Sequence, residues 1–104
     1  MEFMADGFMM NMQEGGQTGV ALVEMVKKAS ETSALDRKTG ELAYLAVLAA
    51  TRMTGALSFH LKSAKKLGAT RDEVKSALMV GLPAVGLQVI DALPQALRCY
   101  DEEL

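Results

Sequence analysis

"SFHLKSAKKLGATRDEVKSALMVGLP" (residues 58–83) reads as two helices and the signals that separate them. Its first part is an amphipathic segment ending near Leu67. Gly68 then stands where a left-handed C-terminal cap is expected. "TRDE" (70–73) is a capping box: Thr70 caps the backbone, and Glu73, at the third helical position, reaches back. The helix it opens is expected to run to about Val80. It stops near "GLP" (81–83), because Pro83 has no backbone N–H to donate.

The same logic extends upstream. The helix bearing His60 starts at Thr51 or Thr54. Before it, "LAYLAVLAA" (42–50) is apolar all round, the pattern of a helix buried on every side. Asp36 can cap that helix, which is placed from about Arg37 to Ala50. "SETSALD" (30–36) is a connection rich in capping residues. Thr18 reads as the N-cap of a helix running to about Ser30, with Glu24 and Lys28 as an i,i+4 ion pair. The first sixteen residues, "MEFMADGFMMNMQEGG", hold five of the eight methionines. They read as an arm or a short irregular helix that packs on its own domain or on a neighbouring subunit.

Downstream, a last helix is expected from Pro83 or Ala84 to near Tyr100. Pro94 lies inside it and marks a kink or a restart. No alternating run bounded by turns competes, so the class is all-α. The expected architecture is a compact bundle of about five or six helices. It comprises the Met-rich arm (1–16) and a single helical domain (17–104).

Composition supports this. A chain of 104 residues suits one domain. Half of the residues are apolar and only 23% are charged, and aromatics are few, a mix that favours helices over strands. The net charge of −2 and a pI near 5.3 leave no broad basic stripe, so nucleic acid is not an expected partner. Lys62, Lys65 and Lys66 read as a solvated helix face. The apolar stretch 76–97 is interrupted by Pro83, Gln88, Asp91 and Pro94, and it reads as buried protein helix rather than a membrane span. No secretory signal is apparent. One cysteine, Cys99, precludes an intrachain disulfide and fits a reducing cytoplasm. No metal site or cofactor is expected, because phosphate loops, dinucleotide fingerprints and HExxH are absent and there is no second histidine. The helices over 41–50 and 78–97 carry more apolar surface than a small monomer hides, so a homo-oligomer is expected.

Three residues are candidates for chemistry. His60 is the only histidine. An imidazole serves as acid, base or ligand near neutral pH, and the alternative is a partly buried structural histidine. Glu41 begins an otherwise apolar helix. It either favours the helix N-terminus or faces His60 and orients its ring. Cys99 lies near a helix C-terminus beside "YDEEL" (100–104), where negative charge is disfavoured, and reads as an inert thiol. Gln88, Asp91 and Gln95 form a polar stripe that either faces solvent or lines a pocket.

"LDRKTGELAYLAVLAA" (35–50) followed by "SFHLKSAKKLGATRDEVKSALMVGLPAVG" (58–86) resembles the carboxymuconolactone decarboxylase family, which includes the alkylhydroperoxidase D-like proteins. The resemblance implies an all-helical bundle assembled as a homotrimer or homohexamer. In the peroxidase branch it implies a site of Glu, Cys-x-x-Cys and His. On this chain the family's glutamate and histidine fall at Glu41 and His60, and its two cysteine positions fall at Met53 and Ala56. A dithiol peroxidase needs one thiol to attack and one to resolve, and neither is present there. The resemblance therefore implies either acid–base chemistry on a small organic substrate or lactone, with His60 as acid/base and Glu41 orienting it, or an oligomeric binding or scaffold protein. A redox role using Cys99 of a neighbouring subunit is the third reading. Arg52 is the nearest cation for a dicarboxylate substrate.

Overall fold

Two side-chain caps set where the central helices begin. Asp36 accepts from the Thr39 backbone N–H at 2.8 Å and from the Thr39 hydroxyl at 2.9 Å. Thr70 accepts from Glu73 N at 3.0 Å, while the Glu73 carboxylate accepts from Thr70 N at 2.9 Å, which completes the expected capping box. These bonds hold both carboxyls below the usual carboxylate range. For Asp36 the main cause is the Thr39 backbone N–H, and for Glu73 it is the Thr70 backbone N–H, followed by the Lys38 ammonium. A depressed carboxyl contributes stability above its unfolded value, and that contribution is lost as pH falls through the lowered folded value.

The computed structural model describes residues 6–102. Its elements are α1 (Asp6–Glu14), α2 (Gly16–Thr32), α3 (Arg37–Thr51), a 3₁₀ turn (Thr54–Ala56) and α4 (Leu57–Lys66). They continue through α5 (Arg71–Met79), the single turn α6 (Leu82–Val85), a longer 3₁₀ segment (Gly86–Ala92) and α7 (Leu93–Asp101). No strand occurs among the described residues, and the fold is an all-α bundle. Gly68, at φ 98°, occupies the left-handed position expected after α4.

The core is built from α3 onward. Leu45 and Leu48 of α3, Leu57 and Leu61 of α4, Val74 and Leu78 of α5, and Val89 of the longer 3₁₀ segment are all fully buried. Each such burial contributes about 1.5–3 kcal/mol. Ala92, Ala96 and Cys99 close the cluster from the C-terminal side. α3 packs on α4 and α5, and α4 also packs on α7. This one-sided packing corrects the expectation that 42–50 is buried all round. Tyr44 is 44% and Val47 52% exposed, so part of the surface of α3 lies outside the core.

The N-terminal segment is more regular than expected. Residues 6–14 form α1, which contacts α2 across a tight glycine turn. Gly15 N–H donates to Asn11 O at 2.8 Å, and Asn11 Nδ2 donates to Gly19 O at 3.3 Å. A Cβ on Gly15 or Gly19 would stand 2.5 or 2.7 Å from the Asn11 carbonyl oxygen, so only glycine permits this approach. The turn starts α2 at Gly16, and Thr18 lies inside the helix rather than capping it. The helix continues past Ser30 to Thr32, and its ion pair is Lys27–Glu31 (3.9 Å) rather than Glu24–Lys28. Residues 1–5 of the expected arm, and Glu103 and Leu104, lie outside the described residues. No α2 side chain enters the core, and Val20, Leu22, Val23, Met25 and Val26 are all exposed.

The C-terminal half departs from the expected single last helix. By length and composition, Arg71–Asp101 is long and apolar enough to cross a bilayer. It is instead divided into α5, α6, the 3₁₀ segment and α7. Pro83 and Pro94 each sit in the first turn of a new helix, where a missing N–H costs no hydrogen bond. Pro94 is therefore a restart and not a kink. The end of α7 is clamped by cations from α4 and α5. Lys62 is buried with its ammonium 3.1 Å from Glu102 Oε2. Lys65 Nζ donates to the Tyr100 carbonyl, and Arg71 makes a two-pronged pair with Asp101 at 2.9 and 3.1 Å. Of the three lysines read as a solvated face, only Lys66 is exposed, because the carbonyls and acids at the end of α7 draw Lys62 and Lys65 inward.

Candidate functional site

The Asp36 cap fixes the register of α3 so that Glu41 lies in its second turn, on the side facing α4. His60 lies in the first turn of α4. The two residues are 19 apart in sequence, yet His60 Nδ1 stands 2.8 Å from Glu41 Oε2. Each side chain is 23% exposed, so the pair is neither sealed in the core nor fully solvated. A carboxylate accepts hydrogen bonds only, so Nδ1 carries the proton in this contact. In the neutral imidazole Nε2 is then left with a lone pair, and in the protonated ring it carries an N–H. The arrangement can accept a proton at Nε2 and return it.

Two aromatic rings surround the imidazole. Tyr44, one turn beyond Glu41 on α3, places its ring centroid 4.4 Å from that of His60, tilted by 57°. Phe59 meets it edge-on at 5.1 Å and 82°. Sequence reasoning missed both contacts. The i,i+3 spacing of Glu41 and Tyr44 was the available signal for the first.

The corner joining α3 to α4 sets the separation of the pair. Arg52, at φ 61°, ends α3, with Arg52 N–H donating to Ala49 O (3.3 Å) and Met53 N–H to Leu48 O (3.0 Å). This is a Schellman closure with arginine at the left-handed position. Three residues then fasten the C-terminal segment to the corner in matching order. Gln88 Nε2 donates to Ala50 O at 2.8 Å. Asp91 Oδ2 stands 3.7 Å from Arg52 Nη2. Gln95 Nε2 donates to Thr54 O at 3.1 Å and to Ser58 Oγ at 3.2 Å. The stripe expected to face solvent or line a pocket thus meets the corner: its two glutamines donate to carbonyls that the bend from α3 into α4 leaves without partners, and Asp91 pairs with a guanidinium. Arg52, the expected substrate cation, instead stands beside Asp91 in a largely exposed pair.

Met53 is 62% exposed and Ala56 is half-buried, so neither contributes to the core cluster as a buried residue. Cys99 is buried, with Sγ 3.8 Å from Ser58 O. A separate shallow groove of about 220 Å³ lies on the N-terminal hairpin, lined by Met12, Gly19, Val20, Val23 and Glu24, none of which belongs to the Glu41–His60 pair.

Residues 17–98 match the family model described as the carboxymuconolactone decarboxylase family. No curated protein matches the chain, and no solved structure matches it.

Proposed function

The chain belongs to the carboxymuconolactone decarboxylase family, and from that membership we propose that it performs acid–base chemistry on a small organic substrate. His60 exchanges a proton at Nε2 with a carbon adjacent to a substrate carbonyl. Glu41 holds Nδ1–H and stabilises the imidazolium as it forms. The 2.8 Å contact between His60 Nδ1 and Glu41 Oε2 carries this reading. Disulfide-based peroxide reduction is not proposed: Met53 and Ala56 supply neither an attacking nor a resolving thiol, and Cys99 is buried beneath Ser58.

The protein works as a homo-oligomer, a trimer or hexamer, in a reducing cytoplasm. The exposed apolar side chains of α2, with Val47 of α3, support self-association. The same surface favours a second reading, a binding or scaffold oligomer without catalysis.

One experiment separates the two. Small keto acids and lactones are screened for thermal stabilisation of wild type and His60→Ala, and each hit is followed for deuterium uptake at its α-carbon. Under the catalytic reading, hits stabilise wild type alone and uptake falls by about 10²-fold or more in the variant. Ligands that stabilise both proteins equally, with no uptake, would favour the scaffold.

A further inference from the structure

We propose that Tyr44 is a positioning residue for His60: its ring holds the imidazole plane so that Nδ1 stays on Glu41 and Nε2 stays available. This inference rests on the role given to His60 above, but it concerns the state of the imidazole in the ligand-free protein.

The bond to Glu41 constrains one point of the ring. The χ2 torsion of histidine is broad and roughly two-fold, so a single hydrogen bond leaves the imidazole free to rock or to turn over. Turning over would bring Cδ2 to Glu41 in place of Nδ1. Two contacts oppose that motion. The Tyr44 ring centroid lies 4.4 Å from that of the imidazole, and the Phe59 centroid lies 5.1 Å away with the rings at 82°. Phe59 adjoins His60 in the chain and moves with α4. Tyr44 reaches across from α3, the helix that also carries Glu41. The carboxylate and the ring therefore form one rigid unit, a helical turn apart, against which the imidazole is set.

The surroundings of Tyr44 argue against a packing role. Its neighbour Leu45 is fully buried in the core cluster, whereas Tyr44 is 44% exposed and does not belong to the buried set. A large aromatic ring left at the surface against the one histidine contributes little to the core. Its most specific contact is the imidazole.

The single histidine makes the test clean, because one ring gives one set of signals. Protein labelled with ¹⁵N-histidine is recorded over a pH series, and the spectra are compared on the alkaline plateau where the ring-nitrogen shifts no longer change. Wild type is expected to show one tautomer, protonated at Nδ1 with Nε2 bare, and an Nδ1–H proton slow enough in water exchange to observe. Tyr44→Phe keeps the ring and retains both signatures. Tyr44→Ala loses the Nδ1–H resonance and shifts both nitrogens toward an averaged tautomer. Tyr44→Leu, which keeps apolar bulk without a flat ring, is read in the same way and guards against a folding defect in the alanine variant. A Tyr44→Ala or Tyr44→Leu spectrum matching wild type overturns the inference, as does an averaged tautomer in wild type itself. Because no substrate is present, failure of the proposed catalysis would leave these spectra unchanged, and the two failures are distinguishable.

Discussion

Arg52 is the one non-glycine residue with a positive φ among the described residues. A left-handed conformation costs an ordinary L-residue about 1–2 kcal/mol, and glycine is the usual occupant of this helix-end position. The ion pair with Asp91 offsets little of that cost, since the two side chains are 64% and 66% exposed. Arg52→Gly is therefore expected to stabilise the protein by about 0.5–1 kcal/mol in urea denaturation. Asp91→Asn, which removes the ion pair but leaves the backbone alone, should stay within about 0.5 kcal/mol of wild type. A destabilised glycine variant would show that the arginine side chain matters more than its backbone. At this same scale, Glu41 and His60 were legible as candidates, and their partnership only as one alternative. Residues 19 apart on two different helices have no local periodicity to connect them, so the pairing was one of two readings of Glu41, the one that the family resemblance favoured, and only the fold brings Nδ1 to the carboxylate. Tyr44 was read only as part of the apolar run 42–50, because its ring contact is likewise non-local.

The connections between elements divide by the range of the interaction. The Asp36 cap, the Thr70–Glu73 box and the left-handed Gly68 were readable because each bond closes within a few residues. The stripe Gln88, Asp91, Gln95 was visible as a pattern, yet its direction was not. Helical spacing places side chains on one face without saying what that face meets. The structure turns the two glutamines onto backbone carbonyls of the α3–α4 corner. Gln95→Ala removes donors to both Thr54 O and Ser58 Oγ and is expected to cost about 1–3 kcal/mol. Thermal denaturation checks this, and a melting temperature equal to wild type would mean that water replaces the tether without loss. Lys62 shows the same limit. An amphipathic reading places a lysine in solvent, whereas the end of α7 provides a local concentration of oxygen acceptors that draws it inside.

For the molecule as a whole, the division between a core-forming part and an exposed hairpin matters most. The core residues run from Leu45 to Cys99, while α2 shows Val20, Met25 and Val26 to solvent in the single chain. If self-association covers that face, light scattering will return a mass several times 11.1 kDa for wild type. Val26→Glu, at a position exposed in the single chain, should shift the mass to that of the monomer with little change in helix content. A clean monomeric mass for wild type would remove the basis for assembly. The sequence by itself determined the all-α class, the position of the main breaks and the caps, because helix propensity, prolines, glycines and capping residues act over one or two turns. Tertiary structure alone decided which apolar faces are covered, that 42–50 is buried on one side only, and that the apolar stretch after Arg71 bends into four elements. It also decided that His60 meets Glu41 and Tyr44. Those outcomes depend on contacts between residues far apart in the chain, whose free energy is realised only when the helices pack.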